Sequence, residues 1–125
     1  MRLARTVAAV TVLMVACSGG TAPTGATADT DLEAGRTLYL QNCAACHGVD
    51  LRGTDTGPSF LSIVYEPGHH PDVAFQVAVT RGVQPHHWDF GPMPPVPGRG
   101  ETDVAAIVAY VRQVQQQEGF EPYPP

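Results

Sequence analysis

Cys43-Ala44-Ala45-Cys46-His47 is the stretch that most narrows what this chain can become. Residues three apart lie about one turn apart on a helix, so both thiols can point the same way with an imidazole beside them. That is the spacing for covalent haem attachment. Each thiol adds to one vinyl group of the porphyrin as a thioether, and His47 reaches the iron from the same side, filling one axial position. Two other uses of the thiols agree less well with their surroundings. A redox dithiol stands at a helix start after a strand in a βαβ unit, and no strand pattern precedes Cys43. A zinc site needs a second ligand pair at helical spacing, whereas His69-His70 and His86-His87 are adjacent pairs.

The methionines narrow the reading further. There are three, Met1, Met14 and Met93, and if the first segment is a targeting peptide only Met93 remains. It lies in Gly91-Pro92-Met93-Pro94-Pro95, where prolines restrict the backbone and hold the thioether in place. A His/Met pair is the axial set of electron-transfer haem proteins. On these residues, 31–120 resembles a small class I c-type cytochrome. The resemblance implies an all-α fold of three to five helices packed around one haem c, with the N- and C-terminal helices crossing. It also implies an electron carrier rather than an enzyme. The imidazoles of His86 and His87 bind haem iron as well as a thioether does, which leaves a bis-histidine alternative to Met93 open. A copper site built from them is a further option, with no other residue pattern in its support.

The chain has 125 residues, one domain's worth, with 43% hydrophobic and only 15% charged residues, and 13 Gly and 12 Pro. Much of it is therefore loop, held by something other than its own core. An apolar macrocycle supplies that interior, since burying it removes on the order of several hundred Å2 from water at about 25 cal/mol per Å2. Loss of haem is expected to unfold the domain.

Residues 1–16 read as an export signal, with Arg2 and Arg5 at its start and Val7 to Ala16 as its apolar core. That core is shorter than the roughly 20 residues a bilayer-spanning helix needs. Met14-Val15-Ala16-Cys17 resembles a bacterial lipobox, which implies a lipid on Cys17; the competing cleavage pattern is Ala26-Thr27-Ala28. Residues 17–29, rich in Gly, Thr, Ala and Pro, read as a flexible tether, followed by a haem domain over 30–119 and a short tail over 120–125. An exported protein, periplasmic or on the outer face of the cytoplasmic membrane, is the expected result.

Thr30-Asp31-Leu32-Glu33 has the form of a capping box, so a helix is expected to start at Thr30 and run into Cys43. The resemblance places a glycine and an aromatic of this helix against the last one, and Gly35 and Tyr39 fit. Residues 48–57 read as a polar turn region. In similar cytochromes a proline carbonyl after such a loop accepts the second imidazole N–H of the haem-ligating histidine; Pro58 fits that place. Phe60, Leu61, Ile63 and Val64 suit a short helical turn at the haem edge. Pro71 and Asp72 open a further helix, with Val73, Ala74, Val77, Ala78 and Arg81 on one face and Gly82 ending it. His69 and His70 read as loop and cap residues, while His86, His87 and Trp88 cover the haem edge. Thr102 or Asp103 caps the last helix, in which Val104, Ile107, Val108, Val111 and Val114 recur at helical spacing. Tyr110-Val111 resembles the aromatic-aliphatic pair of class I terminal helices, and Ala106 and Tyr110 lie on the flank that would meet Gly35.

Charge bears on partners. The chain carries −5 at pH 7 and has no lysine. Without Arg2 and Arg5, five arginines oppose twelve acidic residues, giving −7. A redox protein with a basic docking face, met near the membrane surface, is expected, and nucleic acid is not.

Overall fold

The computed structural model describes residues 24–122. Four α-helices occur among them: α1 (Thr24–Asn42), α2 (Ala44–His47), α3 (Asp72–Arg81) and α4 (Glu101–Glu118), with a 3₁₀ turn at Ile63–Tyr65. Pairing in the described residues is limited to two isolated bridges, Ser62 with Glu121 and Val83 with Met93. The architecture is the all-α one expected.

Helix α1 begins six residues before the capping box. Ala26 and Ala28 favour helix, so nothing requires a start at Thr30. The tether expected over 17–29 thus turns helical from Thr24, and its earlier part, with the signal segment and Cys17, lies outside the described residues. Helix α3 begins at Asp72, with Pro71 outside it as N-cap. Helix α4 begins at Glu101 after Gly100, with no side-chain cap, two or three residues before the start that a cap at Thr102 or Asp103 would give. Glu101 and Asp103 in its first turn complement the positive end of the macrodipole instead.

The core is where α1 and α4 cross. Val104, Ile107, Val108, Val111 and Gln115 form the buried stripe of α4, and Tyr39, Leu51, Leu61, Val104 and Val111 are almost wholly shielded from water. Gly35 sits at the crossing: a Cβ there would lie 2.7 Å from the carbonyl carbon of Ala106, nearer still to its oxygen, and 3.2 Å from Cβ of Tyr110. Only a residue without a Cβ lets the backbones approach this far. Tyr39, beside Tyr110 with ring centroids 5.5 Å apart, donates its hydroxyl to Gly48 O at 2.6 Å. One side chain thus ties the crossing to the end of α2.

The tail after α4 has a structural task the sequence does not signal. Glu121 N donates to Leu61 O at 2.7 Å and Ile63 N to Glu121 O at 2.8 Å. Arg52 pairs with Glu118 at 3.1 Å and with Glu121. Gln115 Nε2, within α4, donates to Phe60 O at 2.7 Å. Together they strap residues 59–63 to α4. Arg112 does the same for the next stretch. Its guanidinium donates to Tyr65 O at 2.6 Å, to His70 O at 2.5 Å, to Gln115 at 2.8 Å and to Asp72 at 2.8 Å, with the Phe75 ring beneath it.

Candidate functional site

Helix α2 is a single turn that carries the motif. Cys43 is its N-cap, and Cys43 and Cys46 are both free thiols. Burial pushes the Cys43 thiol up to about 11, the neighbouring Cys46 adding to the effect, so Cys43 is a neutral thiol near pH 7. Residues 48–57 wrap back over this turn. Thr54 donates its hydroxyl to Cys46 O at 2.7 Å, and a Cβ on Gly57 would lie 2.7 Å from that same oxygen. Leu51, fully buried, adopts φ 66° to make the wrap, a conformation uncommon for a branched side chain. The polar turn region therefore has an apolar anchor at its centre, which composition concealed.

The wrap delivers Pro58 to His47. Its carbonyl accepts from Nδ1 at 2.9 Å, which leaves Nε2 as the lone-pair nitrogen. The ring is buried and stacked on Phe60 with centroids 4.1 Å apart and planes 15° from parallel. Burial lowers the pKa of His47 below its ordinary value, with the bond to Pro58 opposing. A neutral imidazole with a fixed tautomer is what a metal requires of histidine.

Opposing segments complete a cleft of about 610 Å3. Cys43, Cys46, His47, Pro58, Trp88 and Met93 all line it, so the structure brings together six of the seven residues expected at the site; the seventh, Cys17, is not described. Met93 is held at the main chain, where it exchanges both hydrogen bonds with Val83 at 2.9 Å. Gly82 makes room for this pairing, since with φ 74° it places its missing Cβ 2.5 Å from Met93 O. Trp88 stacks on Tyr65 at 5.9 Å. The α3 face expected from the sequence lines the cleft through Val73, Ala74, Val77 and Ala78. Its large members stay uncovered by protein, Val73 at 63% and Val77 at 44% exposure. Phe75 and Val79 also line the cleft, but they are the α3 residues buried in the core.

This donor set fits a c-type haem: two unpaired thiols one turn apart, an oriented neutral imidazole, a thioether facing the same space, and apolar walls that the protein itself leaves bare. The cytochrome c family profile matches residues 32–115. The chain belongs to the cytochrome c family. Membership implies a covalently bound haem, and the single attachment motif provides for one haem c. In fold this cytochrome is similar to cytochrome cL from Hyphomicrobium denitrificans, with a TM-score of 0.52 at 20% identity over 77% of this chain. The match spans 62% of that protein's length. No curated protein matches the chain significantly.

Sequence reasoning missed three parts of the site. His70 lines the cleft and is half-buried, where a loop or cap role was expected. Tyr65 was not singled out, although it supports Trp88 and Phe60. Gln115 holds the Phe60 carbonyl from the far end of a helix whose pattern reads only as apolar.

Proposed function

We propose that this cytochrome is a one-electron carrier with His47 and Met93 as axial ligands, exported and tethered by a lipid on Cys17. The observation that carries the reading is that His47, with Nδ1 tied to Pro58 O, and Met93, with its backbone pinned on both sides, line one apolar cleft beside the two thiols. His47 and Met93 would hold the haem iron, and the haem would supply a one-electron redox centre that takes an electron from a donor and passes it to an acceptor. The chain's own residues do the rest. Pro58 orients the imidazole and increases its donor strength, Val83 and Gly82 position the thioether, and Val73, Val77 and Phe90 offer an apolar wall for the macrocycle to cover. Thioether ligation and low polarity favour the reduced form and raise the potential. Trp88 covers the open edge.

The lipobox-like Met14-Val15-Ala16-Cys17 supports attachment through a lipid on Cys17, with residues 1–16 removed; no helix among the described residues is long and apolar enough to cross a membrane. The charge of −5, or −7 after that removal, suits brief encounters with a basic face of another redox protein, weakened by salt. A redox titration of the purified holoprotein with visible spectra tests the core of this proposal. A single one-electron wave with the ferric absorption of a sulfur-ligated haem is expected, and CO should not bind the reduced protein. Ready CO binding would point instead to an open iron, as in a haem enzyme or gas sensor. Mass spectrometry of the exported protein would decide whether Cys17 carries a diacylglycerol.

A further inference from the structure

Four of the five histidines meet at one lip of the cleft. The sequence holds them as two adjacent pairs, His69-His70 ahead of α3 and His86-His87 in the loop leading to Met93, and the fold brings the pairs face to face. Nε2 of His69 lies 3.2 Å from Nε2 of His87. One ring nitrogen from each of His69, His70 and His87 falls within 4.8 Å of the other two. His86 packs beside the group, its ring 4.5 Å from that of His87 and stacked at 5.8 Å on that of His70.

Two features distinguish this from histidines that merely touch. His70 Nδ1 donates to Val64 O at 2.6 Å and His86 Nδ1 donates to Gln84 O at 2.9 Å. Each bond fixes a tautomer and leaves Nε2 as a lone-pair donor, which is how proteins orient metal-binding imidazoles. The spacing is also apt. Metal–nitrogen bonds of 2.0–2.1 Å in a tetrahedron put two donor atoms about 3.3 Å apart, close to the His69–His87 separation. A hydrogen bond between those two nitrogens would account for that one distance but not for the convergence of the other rings.

We propose that His69, His70 and His87 bind one borderline divalent transition-metal ion, of which Zn2+ and Cu2+ are the members best matched to an all-imidazole set. His70, His86 and His87 also line the cleft that holds His47 and Met93. The ion would therefore place positive charge beside the opening of a protein that is otherwise acidic, where a partner with a basic face would meet it. The proposal rests on Met93, not His86 or His87, being the second haem ligand.

The test uses the purified holoprotein with Zn2+ alone, followed by titration calorimetry, and with Cu2+ alone, followed by electron paramagnetic resonance. We expect one Zn2+ per chain, binding weakened more than about tenfold by His69→Gln and by His87→Gln, the loss being at least that seen when even an outer partner of a metal ligand is removed. The Cu2+ signal should carry nitrogen couplings that diminish with each substitution, and the haem spectrum should not change in His69→Gln, since His69 does not line the cleft. No saturable Zn2+ binding, or affinity unaltered in both variants, would overturn the site and leave the His47/Met93 reading intact. A haem spectrum altered by His87→Gln would overturn it differently, by placing that imidazole on the haem iron.

Discussion

Replacing Gly35 by alanine should destabilise the cytochrome, although the same change in an open helix would stabilise it. Alanine is better than glycine inside a helix by about 0.8–1.0 kcal/mol, and that gain is available at residue 35 of α1. Against it stands the crossing. The new Cβ would lie 2.7 Å from the carbonyl carbon of Ala106, whereas unstrained carbon atoms rest about 3.5–4.0 Å apart. Relief needs α1 and α4 to part by roughly 1 Å, and the clash is with backbone, so no rotamer change can absorb it. Parting the helices loosens Tyr39 against Tyr110 and the Val104–Val111 stripe together. Overpacking of this kind costs about 1–3 kcal/mol, more where backbone must shift, so a net loss of about 1–2 kcal/mol is expected. Denaturant unfolding of the holoprotein, followed by far-ultraviolet circular dichroism and by haem absorbance, measures it. Stability equal to or above that of the parent would show that the helices cross with slack, and the account of Gly35 would be wrong.

Three further outcomes are expected. Burial raises the pKa of Tyr39 well above its ordinary 10.0, so the unfolded chain releases this proton first; the associated stability is complete below about pH 10 and falls above it by about 1.4 kcal/mol per pH unit. Tyr39→Phe should reduce that alkaline slope by one proton, and an unchanged slope would place the titration elsewhere. Gly82→Ala forces a side chain into φ 74°, ψ 178° and against Met93 O, costing about 1–3 kcal/mol for the backbone conformation alone. It should weaken the sulfur-ligated ferric absorption and admit CO while both thioether links persist, and an unaltered spectrum would count against its positioning of Met93. Arg112→Met strips donors from Tyr65 O, His70 O and Gln115 and should cost about 3 kcal/mol, whereas Asp72→Asn, whose carboxylate is largely exposed, should cost under about 1 kcal/mol; equal effects in thermal unfolding would refute this division of roles.

What could be read from the chain was local or periodic. The motif at Cys43–His47 states its chemistry within five residues, the α4 stripe repeats at helical spacing, and Gly82 ends α3 where a glycine should. The resemblance added Gly35 and Pro58, two positions that composition alone would leave as a weak helix residue and a turn. The remainder depends on distant partners. Leu51 is a single apolar residue in a polar loop, and only the fold shows that it is a buried anchor. Gln115 and Arg112 look like solvent-facing polar residues of an amphipathic helix, yet they satisfy carbonyls of residues 60, 65 and 70. Each histidine pair, taken separately, has the wrong spacing for a metal; convergence required that the residue 66–70 turn and the loop after α3 be placed on one lip.

The two sides of the molecule differ in how the polypeptide completes them. Around the α1–α4 crossing, protein covers protein: Tyr39, Leu51, Leu61, Val104 and Val111 have almost no contact with water. Along the cleft the chain stops short, leaving Val73, Val77 and Phe90 bare and holding Met93 chiefly by backbone hydrogen bonds to Val83. An apolar wall left open in this way has a free-energy cost unless something covers it, and the two thiols at its edge specify what does. The covalent links make that cover permanent. A chain with so much Gly and Pro can therefore keep a defined distal loop without building a second core of its own, because the cofactor that carries the electron also supplies the interior on which the loop rests.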